Sequence, residues 1–249
     1  MPAWPYPRLI AHRGGCLAPE NTLPAFAEAA WRGYRAIECD VTLTADGIPV
    51  LFHDETLERT AGGIGPVAAA TWAELATLDA GAWFHPRFSG TRIPTLEQAI
   101  STWQKLGLQA LIELKVNPGQ DPALLGRVVA TIVGKLWCGE PPVFISFDGK
   151  ALAAAAAIAP AIPRALVLGT PWLESNPWPE DWRQQMEAAR ATALDFDHSL
   201  MTRERVAELH AAGVPVVTWT VNDPDRAAEL LAWGVDGVTT DAIDLIMPR

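Results

Sequence analysis

Apolar residues fall along the chain in short runs suited to buried strands, separated by stretches with helical spacing. Residues 8–12 (RLIAH) predict a first strand and residues 36–41 (AIECDV) a second. Asn21 or Thr22 can cap a helix between them, running to about residue 32 and ended by Gly33. Asp46-Gly47 predicts a two-residue hairpin returning through residues 49–52, because glycine tolerates the positive φ of such turns. Counted back from that turn, Ala45 faces Ile48, Thr44 faces Pro49, and Asp40 falls opposite His53. Residues 56–92, with AGGIGPV, a short helix near 71–78 and a tail punctuated by Gly and Pro, break the rhythm and predict an insertion over the top of the fold. Thr95-x-x-Gln98 predicts a capping box opening a helix to about residue 106. Thereafter strands at 109–115, 143–147, 164–168, 193–196, 214–221 and 235–240 alternate with helices at 121–137, 148–159, near 180–191, 202–212 and 224–233, and a short helix follows Asp241.

Nine strand candidates result. The one returning through the tight hairpin must be antiparallel, since parallel neighbours need long crossovers. Eight then remain, seven of them linked by helical crossovers. That pattern predicts an α/β fold, a TIM (β/α)8 barrel, as a single domain over residues 1–249 with residues 56–92 as a small insertion within it. A doubly wound open sheet would start with a nucleotide-type glycine loop, and His12-Arg13-Gly14-Gly15 is not that fingerprint.

Composition narrows the chemistry. The net charge of −10 and pI near 4.9 argue against nucleic acid and anionic membranes as partners. Cys16, Cys39 and Cys138 lack zinc-type spacing and read as reduced thiols. The N-terminus lacks a secretory pattern, and no apolar run approaches the roughly 20 residues of a membrane span, so a cytoplasmic protein is predicted.

In barrel enzymes the working groups sit at the C-terminal ends of the strands. Here those ends carry His12 and Arg13, Glu38 and Asp40, Glu113 and Lys115, Ser146, Trp219 and Asp241, with His53 joining from the hairpin. Glu38 and Asp40, two apart on a strand, point the same way. With Glu113 they gather three acids that would repel one another without a cation, and oxygen ligands suit Mg²⁺, Ca²⁺ or Mn²⁺ rather than zinc. Ordinary rim salt bridges to Arg13 or Lys115, including Lys115 as a counter-ion to Glu38, are the alternative. Glu-x-Asp and Glu-x-Lys interrupt otherwise apolar strands, which favours the metal. His12 and His53 are candidates for general acid and base, and Arg13 and Lys115 for an anion site. His85, His198 and His210 lack such company and read as non-catalytic. Together these groups fit reaction at a small phosphodiester.

The motifs His12-Arg13-Gly14, Pro19-Glu20-Asn21-Thr22, Glu38-x-Asp40, His53-Asp54, Leu57-Glu58-Arg59-Thr60, Ile93-Pro94-Thr95-Leu96, Glu113-Leu114-Lys115, Trp219-Thr220-Val221-Asn222 and Thr240-Asp241 together resemble the glycerophosphodiester phosphodiesterases, in their bacterial cytosolic branch. The resemblance spans nearly the whole chain. It implies a TIM barrel that hydrolyses glycerophosphodiesters such as glycerophosphocholine and glycerophosphoethanolamine to sn-glycerol 3-phosphate and an alcohol. It implies one divalent cation (Mg²⁺ or Ca²⁺) on Glu38, Asp40 and Glu113, with His12 and His53 as the acid/base pair. Arg13 and Lys115 would bind the phosphate, Trp219 would wall the glycerol, and the insertion would bound that pocket. Cys16 departs from the small or basic residue of many relatives and is given no role. The expected partner is a small-molecule glycerophosphodiester, without nucleic acid or stable membrane association; a homodimer is left open. The rivals are a phospholipase of the same barrel type acting on intact lipid, for which Trp83, Phe84 and Phe88 would supply the apolar rim, and a catalytically silent barrel that binds phosphate esters.

Overall fold

The computed structural model describes residues 4–170 and 175–248. Eight parallel strands close into a barrel: β1 (Leu9–Ala11), β2 (Ala36–Leu43), β4 (Gln109–Leu114), β5 (Val143–Ser146), β6 (Arg164–Leu168), β7 (Ala193–Asp197), β8 (Val216–Trp219) and β9 (Gly237–Thr240). Each pairs with the next, and β1 closes the ring by pairing with both β9 and β2. The antiparallel β3 (Pro49–Leu51) lies outside the barrel, paired to β2. The helices are α1 (Leu23–Trp31), α2 (Trp72–Leu75), α3 (Leu96–Leu106), α4 (Pro122–Leu136), α5 (Gly149–Ile158), α6 (Trp182–Ala188), α7 (Arg203–Ala211) and α8 (Pro224–Trp233).

Alternation along the strands builds two cores at once. Ala36, Leu111, Ile145, Val167 and Val217 fill the barrel interior, with Tyr6 and Ile10 in the same cluster. Ile37, Cys39, Ile112, Phe144, Leu194 and Phe196 belong to the larger core shared with the helices. Helix ends follow the local chemistry. Thr95 and Gln98 form a reciprocal capping box on α3. On α8, the Asp223 carboxylate accepts from the Asp225 and Arg226 amides with Pro224 in the first turn, and Gly234 stops the helix in the left-handed conformation. Residues of the insertion build a third core, in which Leu57, Val67 and Leu75 pack with Val50, Phe52 and Ile93.

The hairpin departs from its expected register. Leu43 faces Pro49, Val41 faces Leu51, and the Phe52 amide donates to the Asp40 carbonyl, so Asp40 stands opposite Phe52 and not His53. The turn has three residues, with Gly47 at φ +78° and its amide donating to Thr44 O at 3.0 Å. That left-handed residue adds one position to the loop and shifts the pairing by one. Other boundaries tighten: the helix near 71–78 is the single turn α2, β8 begins at Val216, and Asp241 is followed by hydrogen-bonded turns instead of a helix. No helix among the described residues is long and apolar enough to cross a membrane.

Candidate active site

Glu38 and Asp40 project from β2 on the same side, and the register sets Glu113 of β4 beside Asp40. All three are buried, and one oxygen from each lies within 4.8 Å of the others. Two cations face them. Lys115 Nζ, just past β4, lies 3.2 Å from Glu113 Oε1 and 3.6 Å from Asp40 Oδ1. Arg13 Nε lies 3.2 Å from Asp40 Oδ2, while its Nη1 is shared with Glu20 at 3.0 Å. Lys115 is thus the counter-ion of Glu113 and Asp40, not of Glu38. Glu38 accepts instead from the Arg13 backbone amide at 3.2 Å.

The turn that delivers that amide requires glycine. Arg13, Gly14 and Gly15 all have positive φ, and a Cβ on Gly14 would lie 2.6 Å from Ala25 Cβ. Asn21 does not cap α1. It turns back to Asp40, donating Nδ2 to Oδ2 at 2.8 Å and accepting the Asp40 amide at 3.1 Å.

The two histidines are presented alike. His12 Nδ1 is 2.6 Å from Asp241 Oδ1, and Asn222 Nδ2 donates to the other Asp241 oxygen at 2.8 Å. His53 Nδ1 is 2.7 Å from Asp54 Oδ1, and Arg59 binds both Asp54 and Glu20. With Nδ1 engaged by a carboxylate, Nε2 is the nitrogen each ring has left for a substrate. Both rings line one cavity of about 210 Å³ together with Arg13, Glu38, Glu113 and Lys115. A wider groove of about 600 Å³ beside α3 shares no residue with it and has no histidine in its lining.

Electrostatics in the cavity are strained by burial. Burial and the charges of Asp40 and Glu113 push Glu38 well above the ordinary carboxylate range. Burial likewise lifts Glu113 to about 7, although Lys115 opposes it. Burial would also raise Asp40, but Arg13, Lys115, His53 and the Asn21 hydrogen bond outweigh it and hold that carboxyl ionised. Burial lowers His53, with Arg13 and Lys115 adding to the effect against Asp40 and Asp54. The charge of Asp40 favours the protonated form of His53, although the hairpin sets Phe52 opposite Asp40.

The sequence model of the glycerophosphoryl diester phosphodiesterase family matches residues 12–245. The chain belongs to that family. YhdW of Bacillus subtilis is 36% identical over 96% of each chain. A glycerophosphodiester phosphodiesterase of Caldanaerobacter subterraneus subsp. tengcongensis is 34% identical, covering 94% of this chain and 93% of its own. A phosphodiesterase of Oleispira antarctica, solved with the product sn-glycerol-3-phosphate, superposes with a TM-score of 0.88 at 32% identity, over 97% of this chain and 95% of its own.

This phosphodiesterase barrel gathers every predicted site residue in or beside one cavity. Trp219 stands on its wall with Phe147, the rings 5.3 Å apart and edge to face. The three remaining histidines stay apart from it: His85 caps a short turn, His198 sits in another, and His210 pairs with Asp236 at 2.9 Å. Asp54, Asp241, Asn222 and Arg59 have no catalytic role in the sequence reading, although each lies in a quoted motif. Asp195 was also passed over. Burial and the Glu113 charge raise its carboxyl well above the usual range on β7. It interrupts the apolar run ALDF as Glu38 and Asp40 interrupt theirs, and that signal would have found it.

Proposed function

We propose that this phosphodiesterase hydrolyses glycerophosphodiesters, such as glycerophosphocholine and glycerophosphoethanolamine, to sn-glycerol 3-phosphate and an alcohol, using one divalent cation and two histidines. The observation that carries this reading is the pairing of two imidazoles, each fixed at Nδ1 by an aspartate, around a buried triad of acids in one cavity.

The acids fit a hard cation such as Mg²⁺ or Ca²⁺. Three carboxylates face two positive side chains, one of them shared with Glu20. Two unit charges at such separations repel by about 3–4 kcal/mol at an effective dielectric of about 20. Asp40 Oδ1 is buried without a hydrogen-bond partner, the nearest cation being Lys115 at 3.6 Å. Glu38, Asp40 and Glu113 would hold the ion, which when bound would draw charge from the phosphoryl oxygens.

Arg13 and Lys115 orient the phosphate anion at the cavity mouth. One imidazole removes the proton from the attacking hydroxyl, supplied by water or by the 2-hydroxyl of the glycerol, whose cyclic phosphate a water then opens to glycerol 3-phosphate. The other protonates the departing alkoxide as its bond to phosphorus breaks. Asp54 and Asp241 hold the two rings at Nδ1 and so keep each Nε2 turned to the reacting groups. Trp219 and Phe147 give the glycerol an apolar wall. Three free thiols, Cys16 and Cys138 exposed and Cys39 buried, support a reducing cytoplasmic location.

The test is release of glycerol 3-phosphate from glycerophosphocholine, with and without EDTA, in wild type, His12→Ala and His53→Ala. EDTA should abolish turnover, and each alanine should lower kcat by about 10²–10⁴-fold. Full activity in EDTA would remove the cation, and wild-type rates in both alanine variants would remove the histidine pair.

A further inference from the structure

The cavity wall holds polar atoms that the steps above leave unused. Asp195 of β7 sits in register between Val167 of β6 and Val217 of β8, and is 2% exposed. The interior around it is apolar: Ile145, Ala165, Val167, Ala193 and Val217 form one cluster. Yet Asp195 Oδ1 is buried without a hydrogen-bond partner. Thr239 of β9 repeats the situation, its buried Oγ1 likewise unpartnered. Both residues line the cavity that holds His12, His53 and Lys115.

Unsatisfied buried polar groups destabilise a fold, whereas leucine and valine at these two positions would carry no such penalty. The polar atoms are therefore placed for something that enters the cavity. The phosphate is an unsuitable occupant, because Arg13 and Lys115 already supply its cations and neither Asp195 nor Thr239 adds positive charge. A neutral hydroxyl is complementary: it donates to the Asp195 carboxyl and accepts from the Thr239 hydroxyl.

We propose that Asp195 and Thr239 form the polar floor of the cavity and receive a hydroxyl from the glycerol end of the substrate, making Asp195 a specificity-determining residue. This assignment rests on the phosphodiesterase reading above and deepens it. It gives the site a means of separating a glycerol ester from an alkyl ester of equal length: loss of the hydroxyl leaves Asp195 and Thr239 unpaired in the complex as well.

The test compares two ligands that share the phosphate and differ in hydroxyls, sn-glycerol 3-phosphate and propyl phosphate. Their binding to the Mg²⁺-supplemented full chain is followed by calorimetry. Wild type should favour glycerol 3-phosphate. Asp195→Leu should erase about 10- to 100-fold of that preference by weakening glycerol 3-phosphate while leaving propyl phosphate within about threefold. Asp195→Asn, which retains an acceptor oxygen in the same place, should restore most of it. Thr239→Val, close in shape, should lose about 5- to 10-fold, and this variant carries the test if Asp195→Leu does not fold. Without ligand, Asp195→Leu should melt no lower than wild type, since it removes an unsatisfied group.

An unchanged preference in Asp195→Leu and Thr239→Val would overturn the proposal, as would equal weakening of both ligands. A lower melting temperature with unchanged preference would assign Asp195 to the scaffold. Failure of wild type to cleave glycerophosphocholine would sink the catalytic reading instead, and the binding comparison would still report on the floor.

Discussion

Asn21 and Asp40 hold each other through two hydrogen bonds, the side-chain amide donating to the carboxylate at 2.8 Å and accepting the Asp40 backbone N–H at 3.1 Å. Asn21 has φ +57°, a left-handed conformation that asparagine tolerates better than most residues. The pair fixes the rotamer of an acid assigned above to the cation. Asn21→Gly keeps the backbone conformation and removes the amide. It is expected to lower divalent-cation affinity or turnover by about 10–100-fold, as losing the support of a metal ligand does. Titrating activity with Mg²⁺ checks this, and a curve matching wild type would show that Asp40 orients itself.

Arg59 ties Asp54 to Glu20, with contacts of 2.5 and 2.7 Å. Burial alone would raise both carboxyls, but Arg59, together with Arg13 at Glu20 and His53 at Asp54, lowers them below their unfolded values of 4.5 and 3.8. A depressed folded pKa stabilises above the unfolded value and loses that effect as pH falls through the folded one. Arg59→Met should therefore be less stable than wild type at pH 7, and the gap should close as the pH drops below about 4. Urea midpoints from pH 7 to 3 measure it. A gap of constant size would mean that Arg59 acts through packing on Trp83, which it overlies at 5.9 Å.

These two clusters mark where sequence reading stopped. Strand alternation carried Glu38 and Asp40 to one side, and the tight Asp46-Gly47 turn, too short for a crossover, separated β3 from the eight barrel strands. The Thr95/Gln98 box opened α3 as expected because capping is local. The hairpin register was lost because Asp46-Gly47 suits both a two-residue turn and the last two positions of a three-residue one. Of the two candidate caps Thr22 takes the N-cap position, and Asn21 turns to a partner 19 residues on, a contact no local rule supplies. Asn222, Asp241 and His12 meet at the ends of neighbouring strands, and Arg59 reaches Glu20 39 residues away, contacts with no periodic signature.

Gly14 gives a steric prediction. Its φ is +88°, and an added Cβ would meet Ala25 Cβ at 2.6 Å and the Ala25 carbonyl carbon at 2.8 Å. Gly14→Ala combines backbone strain with overpacking, each about 1–3 kcal/mol, so a loss of about 2–5 kcal/mol is expected. Gly65, at φ +90° with nothing within 4 Å, isolates the first effect. Gly65→Ala should lose about 1–2 kcal/mol. Chemical denaturation of both variants separates the two contributions, and equal losses would remove the clash with α1.

In the proposed site Lys115 stands between the cation and the phosphate, and its removal should affect the two in opposite directions. Burial disfavours its ammonium, but Glu113 and Asp40 keep it protonated. Lys115→Met leaves those buried acids with less positive charge. Breaking a buried pair costs about 3–5 kcal/mol, and the partial exposure of the lysine reduces this to about 1–3 kcal/mol. That loss should appear in full with EDTA. A divalent ion then has more negative charge to bind, so saturating Mg²⁺ or Ca²⁺ should raise the melting temperature of the variant more than that of wild type. Turnover should still fall, since the phosphate has lost one of its two positive contacts. Thermal unfolding of both proteins, with EDTA and with excess cation, reads the difference. An equal rise in the two proteins would mean that the cation binds away from Glu113 and Asp40.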